Sequence, residues 1–142
     1  MQQPDELLNE NFCYSWRQVW TDVDALIEEI KKQEVGIEMV VGVSRGGMIP
    51  AAMFARQMGL PLVSIEVGEG LEQYGDTTCL VVDDIFDSGN TMMDLFKSGG
   101  RAHVYVCLYD KNLHPELGLP DYAIDLDTEE WIIFPWESED NE

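Results

Sequence analysis

Apolar residues recur at Trp16, Val19, Trp20, Val23, Leu26, Ile27 and Ile30, a spacing that predicts an amphipathic helix over 16–33. Ser15, followed three positions later by Gln18, supplies its capping-box start. The period then changes. Met39–Val43 is a short, Val-rich apolar run, which predicts a buried strand. Ser44-Arg45-Gly46-Gly47 breaks it. Pro50 suits a helix start, and Ala51 to Met58 carry that helix to Gly59. Leu62–Val67 reads as a second strand and Gly68–Asp76 as a polar loop holding three glycines. Cys79–Val82 is a third strand, ending at Asp83-Asp84. A Ser-Gly-Asn-Thr turn and a short helix from Thr91 to about Lys97 follow, closed by Gly99-Gly100. His103–Leu108 and Tyr122–Leu126 read as the fourth and fifth strands.

Apolar strands alternating with helices predict the α/β class, with a mostly parallel sheet and helices on both faces. In such sheets ligands bind beyond the carboxyl ends of the strands. Arg45 follows the first predicted strand, Asp83 and Asp84 the third, and Lys111 the fourth, so the polar interruptions converge on one edge. The length of 142 residues suits a single domain spanning 1–142. Residues 1–11 read as a loose arm, and the end from Glu137, above all 138–142, as a frayed acidic tail.

Charge narrows the range of partners. Asp and Glu number 28 against 8 Lys and Arg, a net charge of −20. That disfavours nucleic acid and anionic membrane surfaces. No apolar run approaches the ~18 residues of a membrane helix, and the polar start does not read as a signal peptide. Three scattered cysteines without a C-x-x-C pair point to a reducing, cytoplasmic setting and away from structural zinc. After Lys111 no Lys or Arg occurs, while ten acids follow. Most simply this is a solubilising surface, with adaptation to high salt or a basic partner as the other readings.

The densest chemistry lies between Leu80 and Thr91. A buried strand ends in two adjacent carboxylates, and a short loop of small and hydroxyl residues then opens a helix. Backbone N–H groups at a helix start cradle phosphate, with Ser88 and Thr91 adding hydroxyl donors. Gly89 permits close approach of the backbone. The carboxylates can accept from sugar hydroxyls or join a magnesium shell. A strand–turn–helix corner with ordinary caps would explain Ser-Gly-Asn-Thr alone. It does not explain Asp83, Asp84 and Asp87 beside it. His103 and His114 belong to no such pattern and read as structural.

This segment resembles the phosphoribosyl pyrophosphate signature of type I phosphoribosyltransferases, with Asn90 and the bulky Phe86 as mild departures. Val43-Ser44-Arg45-Gly46-Gly47 resembles the family's pyrophosphate loop. Tyr14-Ser15-Trp16, Asp121–Asp125, Glu130-Trp131-Ile132 and Pro135-Trp136-Glu137 resemble the bacterial xanthine-guanine branch. The likeness covers about residues 12–137 and adds a small C-terminal hood to the expected fold. It implies that Ser88, Gly89, Asn90 and Thr91 hold a 5′-phosphate and that Asp83 and Asp84 take the ribose hydroxyls. Asp84 would lie near Mg2+. Arg45, Gly46 and Gly47 would hold pyrophosphate, around a Ser44–Arg45 peptide that is cis or switches on binding. Asp87 would manage the proton at purine N7. Lys111 would meet a 6-oxo group, Trp131 would stack on the base, and the Ile132 backbone would read its edge. The implied reaction makes a 6-oxopurine nucleoside 5′-monophosphate from phosphoribosyl pyrophosphate and guanine, xanthine or hypoxanthine. A homo-oligomer, dimer or tetramer, is expected with it.

One departure opens an alternative. Relatives close a mobile loop over the reaction between the second and third predicted strands, usually with basic or Ser-Tyr residues. Here Gly68–Asp76 is short, lacks Lys and Arg, and carries three acids. Its glycines permit movement, and Tyr74 is its candidate lid residue. The alternative is a non-catalytic module that binds phosphoribosyl pyrophosphate or a nucleotide in a regulatory role. A phosphoacceptor receiver domain also has paired acids after a strand, but the phosphate cradle argues against it.

Overall fold

The computed structural model describes residues 11–126 and 131–137. The expected arm, apart from Asn11, and the tail over 138–142 lie outside the described residues. In chain order the elements are β1 (Asn11–Cys13), α1 (Trp16–Lys32), β2 (Met39–Val43), α2 (Met48–Met58) and β3 (Leu62–Ile65). After them come β4 (Cys79–Phe86), α3 (Asn90–Gly99), β5 (Val104–Asp110), β6 (Tyr122–Asp125) and β7 (Trp131–Ile133).

Five strands form one sheet in the order β3-β2-β4-β5-β6, and every neighbouring pair is parallel. The expected α/β architecture is present. The chain leaves β2 toward β3 on one side, then returns to β4 on the other. The carboxyl ends of β2 and β4 therefore flank a crevice at the point where the order reverses.

Alternation along the strands sorts the two faces of the sheet. Val40, Leu80, Val82, Val106 and Leu108 pack with Val23 and Ile27 of α1 and Phe54 of α2. Val41, Val81, Tyr105 and Cys107 pack with Met92 and Leu95 of α3 on the other face. Burying each such side chain is worth about 1.5–3 kcal/mol. One polar substitution here would consume a large share of a net stability of ~5–15 kcal/mol.

The helix starts follow local chemistry. Gln18 N–H donates to Ser15 Oγ at 3.1 Å, as the capping pattern predicts. Helix α2 starts at Met48, two residues before Pro50, and tolerates the proline because a first-turn N–H has no intrahelical acceptor. Strand β3 stops at Ile65 rather than Val67. Glu69 N–H donates to the Glu66 carbonyl at 3.0 Å, and this turn leaves Val67 77% exposed.

Two features depart further from the sequence reading. Strand β4 does not end before the acidic pair; it runs through Asp83 and Asp84 to Phe86, because Ile85 and Phe86 continue the ladder with Tyr109 and Asp110 of β5. The hood is also not purely C-terminal. Asn11–Cys13, expected as arm and loop, pairs in parallel with Trp131–Ile133. A strand of three residues has no periodicity to read. Aromatic stacking ties this ribbon to the sheet: Tyr14 lies 4.4 Å from Tyr109 between ring centroids, and Tyr109 lies 5.8 Å from Phe134. Among the described residues, no helix is long and apolar enough to cross a membrane.

Candidate active site

The crevice begins with the end of β4. Asp84 N–H donates to Asp83 Oδ1 at 2.8 Å, and Ile85 N–H donates to Asp84 Oδ1 at 2.8 Å. Each carboxylate is thus oriented by the backbone that follows it. Burial, followed by the neighbouring Asp84 charge, pushes the Asp83 carboxyl up to about 8. Holding both carboxylates in the charged form is costly here, and a cation placed beside them would offset that cost.

Next comes the turn into α3. Gly89 has φ +82°, and a Cβ there would stand 2.9 Å from Phe86 Cζ and 2.8 Å from Leu117 Cδ1. The positive φ and the bulk of Phe86 and Leu117 together require glycine at this position. Asn90 N–H donates to Ser88 Oγ at 3.3 Å, and Asn90 opens α3 with an exposed side chain. Asp83, Asp87, Ser88, Gly89 and Thr91 line a small cavity of about 80 Å3 at this helix start.

The loop after β2 closes the crevice from the other side. Its Ser44–Arg45 peptide is cis. Ser44 N–H donates to the Ile65 carbonyl at 2.9 Å, and Gly47 N–H donates to the Val43 carbonyl at 2.8 Å. A Cβ on Gly46 would overlap the Asp84 carboxylate, and one on Gly47 would stand 2.8 Å from Asp83 Cα. Glycine at both positions lets the loop lie directly on the acidic pair, with Arg45 exposed beside it.

Beyond β5 the chain adds a cation. Lys111 N–H donates to the Phe86 carbonyl at 3.3 Å, which fixes the residue beside the end of β4. Lys111 is only 9% exposed, and among the described residues it forms no ion pair. It lines a cavity of about 170 Å3 together with Asp84, Asp87, Trp131 and Ile132. Trp131 stands 68% exposed at the rim, whereas the Ile132 side chain is buried in the core. Asp87 lines both this cavity and the smaller one at the helix start.

The candidate binding and catalytic residues therefore gather at one edge of the sheet, in two adjoining cavities and the glycine loop, except Asn90, which lines neither cavity. Three further residues of the larger cavity, Ile85, Phe134 and Glu137, have no assigned role in the sequence reading. Glu137 also corrects it. Expected at the start of a frayed tail, it is half-buried, with Phe134 N–H donating to its Oε1 at 3.0 Å and its own N–H donating to the Phe134 carbonyl at 3.0 Å. The signal for it was Pro135-Trp136-Glu137, which falls right after the apolar Trp131–Phe134 run.

The connection between β3 and β4 differs from a free lid. Leu71 is fully buried, and its N–H donates to Ser98 Oγ of α3 at 2.9 Å. The Tyr74 hydroxyl donates to the Ser64 carbonyl at 3.4 Å, and its ring packs on the α3 side of the core, so Tyr74 is engaged there. Between this segment and α3 lies a cavity of about 310 Å3 edged by Glu66, Glu69, Glu72 and Asp94, with no Lys or Arg in its lining.

His103 is structural, as expected: Cys79 N–H donates to its Nδ1 at 3.1 Å within the core.

Comparison with known proteins bears on the family and the fold. No family model matches the chain. The xanthine-guanine phosphoribosyltransferase of Chromohalobacter salexigens is 32% identical, over 91% of this chain and 85% of that protein. The enzyme of the same name from Gluconobacter oxydans is 32% identical, over 87% of this chain and 83% of that protein. Among solved structures, a purine phosphoribosyltransferase from Pyrococcus horikoshii superposes with a TM-score of 0.70 at 28% identity, covering 91% of this chain and 95% of the other. The Helicobacter pylori xanthine-guanine-hypoxanthine phosphoribosyltransferase shares the fold with a TM-score of 0.76 at 23% identity, covering 92% of this chain and 96% of that one. With sequence likeness spanning nearly the full length of both partners and a parallel sheet whose carboxyl edge carries the acidic pair, the chain belongs to the xanthine-guanine phosphoribosyltransferases, a type I purine branch of the phosphoribosyltransferase family.

Proposed function

We propose that this protein transfers the 5-phosphoribosyl group of phosphoribosyl pyrophosphate to N9 of a 6-oxopurine, in cytoplasmic purine salvage. The carrying observation is Asp87, shared by a phosphate-sized cavity at a helix start and a larger cavity holding a buried lysine. A phosphate held at residues 88–91 and a base held against Lys111 would bring sugar and purine together beside Asp87. There the N9–C1 bond forms as the bond from C1 to pyrophosphate breaks, with inversion at C1. The proton leaving the base is managed by Asp87 at N7. Lys111 offers only donors, which suit an oxygen at position 6 and oppose an amino group. Trp131 at the rim gives the base a stacking surface, and the Ile132 backbone its edge contacts.

The residues present suit Mg2+. Among the described residues, no group of three or more His, Cys, Asp or Glu forms a metal cage. Mg2+ is ordinarily held by one or two carboxylates plus substrate phosphates, so Asp84, with Asp83 beside it, is a fitting partial shell. When bound, the ion supplies charge neutralisation at the departing pyrophosphate. Arg45 and the backbone of Gly46 and Gly47 serve that same group from the glycine loop.

The test is product formation from guanine, xanthine, hypoxanthine and adenine, each with phosphoribosyl pyrophosphate and Mg2+. Nucleotide is expected from 6-oxopurines and not from adenine, and equal use of adenine overturns the reading. One observation favours a regulatory binding module instead: the acidic connection over 66–76 is anchored by Leu71 and has no basic residue to close over phosphates. A wild-type protein that binds nucleotide yet forms none from any purine would decide for that second reading.

A further inference from the structure

The connection between β3 and β4 is pinned along its length. Glu69 N–H donates to the Glu66 carbonyl at 3.0 Å, and Glu66 N–H donates to Glu69 Oε1 at 2.8 Å, which closes the turn after β3. Leu71 N–H donates to Ser98 Oγ at 2.9 Å, and that hydroxyl donates to the Leu95 carbonyl at 2.7 Å. The buried Leu71 side chain lies against Gly99, where a Cβ would stand 2.8 Å from Leu71 Cδ1. Further on, Tyr74 is held at the Ser64 carbonyl, and Thr77 N–H donates to the Tyr74 carbonyl at 3.2 Å. Thr78 N–H donates to Glu38 Oε1 at 2.9 Å, and Glu38 N–H to the Thr78 carbonyl at 2.8 Å. Between Ile65 of β3 and Leu71 lie only residues 66–70, a stretch that, tied at both ends, rises no more than about 10 Å. It carries two carboxylates and no cation, so moving it over bound phosphates sets like charges together. Asp87, Ser88, Arg45 and Gly46 are exposed, as is Trp131 at the rim of the larger cavity. The crevice is therefore open to water where the sugar would lie.

Closing a site over its reactants protects a reactive centre from hydrolysis. We propose that this chain lacks that protection: given phosphoribosyl pyrophosphate and no purine, it transfers the phosphoribosyl group to water, a second activity of the same site. The proposal rests on the transferase reading above and goes beyond it. With the 5′-phosphate at residues 88–91, C1 lies beside Asp87, and water fills the cavity of about 170 Å3 that would take a base. A water oxygen forms a bond to C1 as the bond from C1 to pyrophosphate breaks, and the electron pair of the broken bond leaves with pyrophosphate. One proton of the attacking water passes to Asp87, whose exposed carboxylate hands it on to solvent. The products are ribose 5-phosphate and pyrophosphate, and nothing is oxidised or reduced. Unheld water lacks the positioning of a bound purine, a disadvantage of about 100-fold. Pyrophosphate release without base is therefore expected at about one-hundredth of the rate with the best purine, or faster.

The experiment uses the full chain with phosphoribosyl pyrophosphate and Mg2+, and follows pyrophosphate with and without guanine, after subtraction of the rate without protein. Base-independent release below that hundredth overturns the proposal. Run in oxygen-18 water, the reaction should leave pyrophosphate unlabelled, because the bond broken is the one at C1. Label in pyrophosphate means attack at phosphorus and also overturns it. Asp87→Asn should lower base-independent release about 100-fold, whereas an unchanged rate would assign the hydrolysis to a contaminant and overturn the proposal. A readout apart from turnover is amide exchange across 66–76, with and without guanosine 5′-monophosphate and pyrophosphate. Protection there should stay the same. A gain of about tenfold or more over 66–70 would show the stretch sealing the site, against the proposal. The two readings fail separately. Nucleotide formation without base-independent release keeps the transferase and removes the water reaction. Base-independent release with no nucleotide from any purine removes the transferase and leaves a hydrolase of phosphoribosyl pyrophosphate.

Discussion

Asp87 sits on the wall between two cavities but is not needed to build either. Asp83, Ser88, Gly89 and Thr91 shape the smaller one, and Lys111, Trp131 and Ile132 the larger. On the proposed function its task is proton transfer, worth about 100-fold or more in rate. Asp87→Asn should cut kcat by that factor while nucleotide affinity changes only a few-fold, as turnover and calorimetry measured side by side would show. Unchanged turnover would remove the proton-transfer role. Asp83 predicts the opposite kind of effect. Its buried carboxyl is held beside Asp84 at a cost to the fold. Asp83→Asn should therefore raise the Tm of the ligand-free protein at pH 8 while weakening substrate binding. Gly89→Ala should destabilise by about 1–3 kcal/mol in denaturant titration, because alanine strains φ +82° and meets Phe86. A neutral result would mean that the turn relaxes around Phe86.

At the scale of elements, the strands that bury two faces were legible because their apolar runs are continuous, and so was α1 because its apolar stripe has helical spacing. The acidic pair was legible as chemistry but not as strand: Asp83 and Asp84 look like a terminator, yet the β5 ladder carries β4 through them. β1 was illegible because its pairing with β7 joins residues more than a hundred positions apart and rests on three residues a side. The link between β4 and β5 also carries a pH prediction. His103 Nδ1 accepts from Cys79 N–H, which requires neutral imidazole at that nitrogen, and burial lowers its pKa from the ordinary 6.5. The unfolded chain takes up the proton first as pH falls. The contribution of His103 is therefore complete above about pH 6.5 and is lost as pH falls from there through the lowered folded value. Tm followed against pH should show this slope in wild type, and His103→Gln should flatten it. An identical slope in the variant would assign acid sensitivity to other groups.

For the whole molecule, −20 net charge on 142 residues sets the terms for a substrate that is itself a polyanion. Few ion pairs offset it: among the described residues, Lys32 pairs with Glu29 at 3.1 Å on the surface, and His114 approaches Glu116 at 3.5 Å. Such exposed pairs contribute about 0–1 kcal/mol each, so the excess acids repel one another largely uncompensated. The acids at 66, 69, 72 and 94 edge the cavity that adjoins Thr91, on the approach to the phosphate cradle. Both facts make salt favourable, in contrast with an enzyme that steers an anion through a basic funnel. Raising monovalent salt from about 0.01 M to about 0.15 M shortens the screening length from about 30 Å to about 8 Å. The Tm should rise over that range as self-repulsion is screened. With Mg2+ held saturating, kcat/KM for phosphoribosyl pyrophosphate should rise as well, because like-charge encounters are hindered most when unscreened. Reversing charge locally separates the two effects. Glu69→Lys and Glu72→Lys together should raise kcat/KM at low salt and flatten its salt dependence, while leaving most of the salt dependence of Tm in place. A kcat/KM that falls with salt in wild type would mean that Arg45 and bound magnesium outweigh the acidic surface in guiding the substrate in.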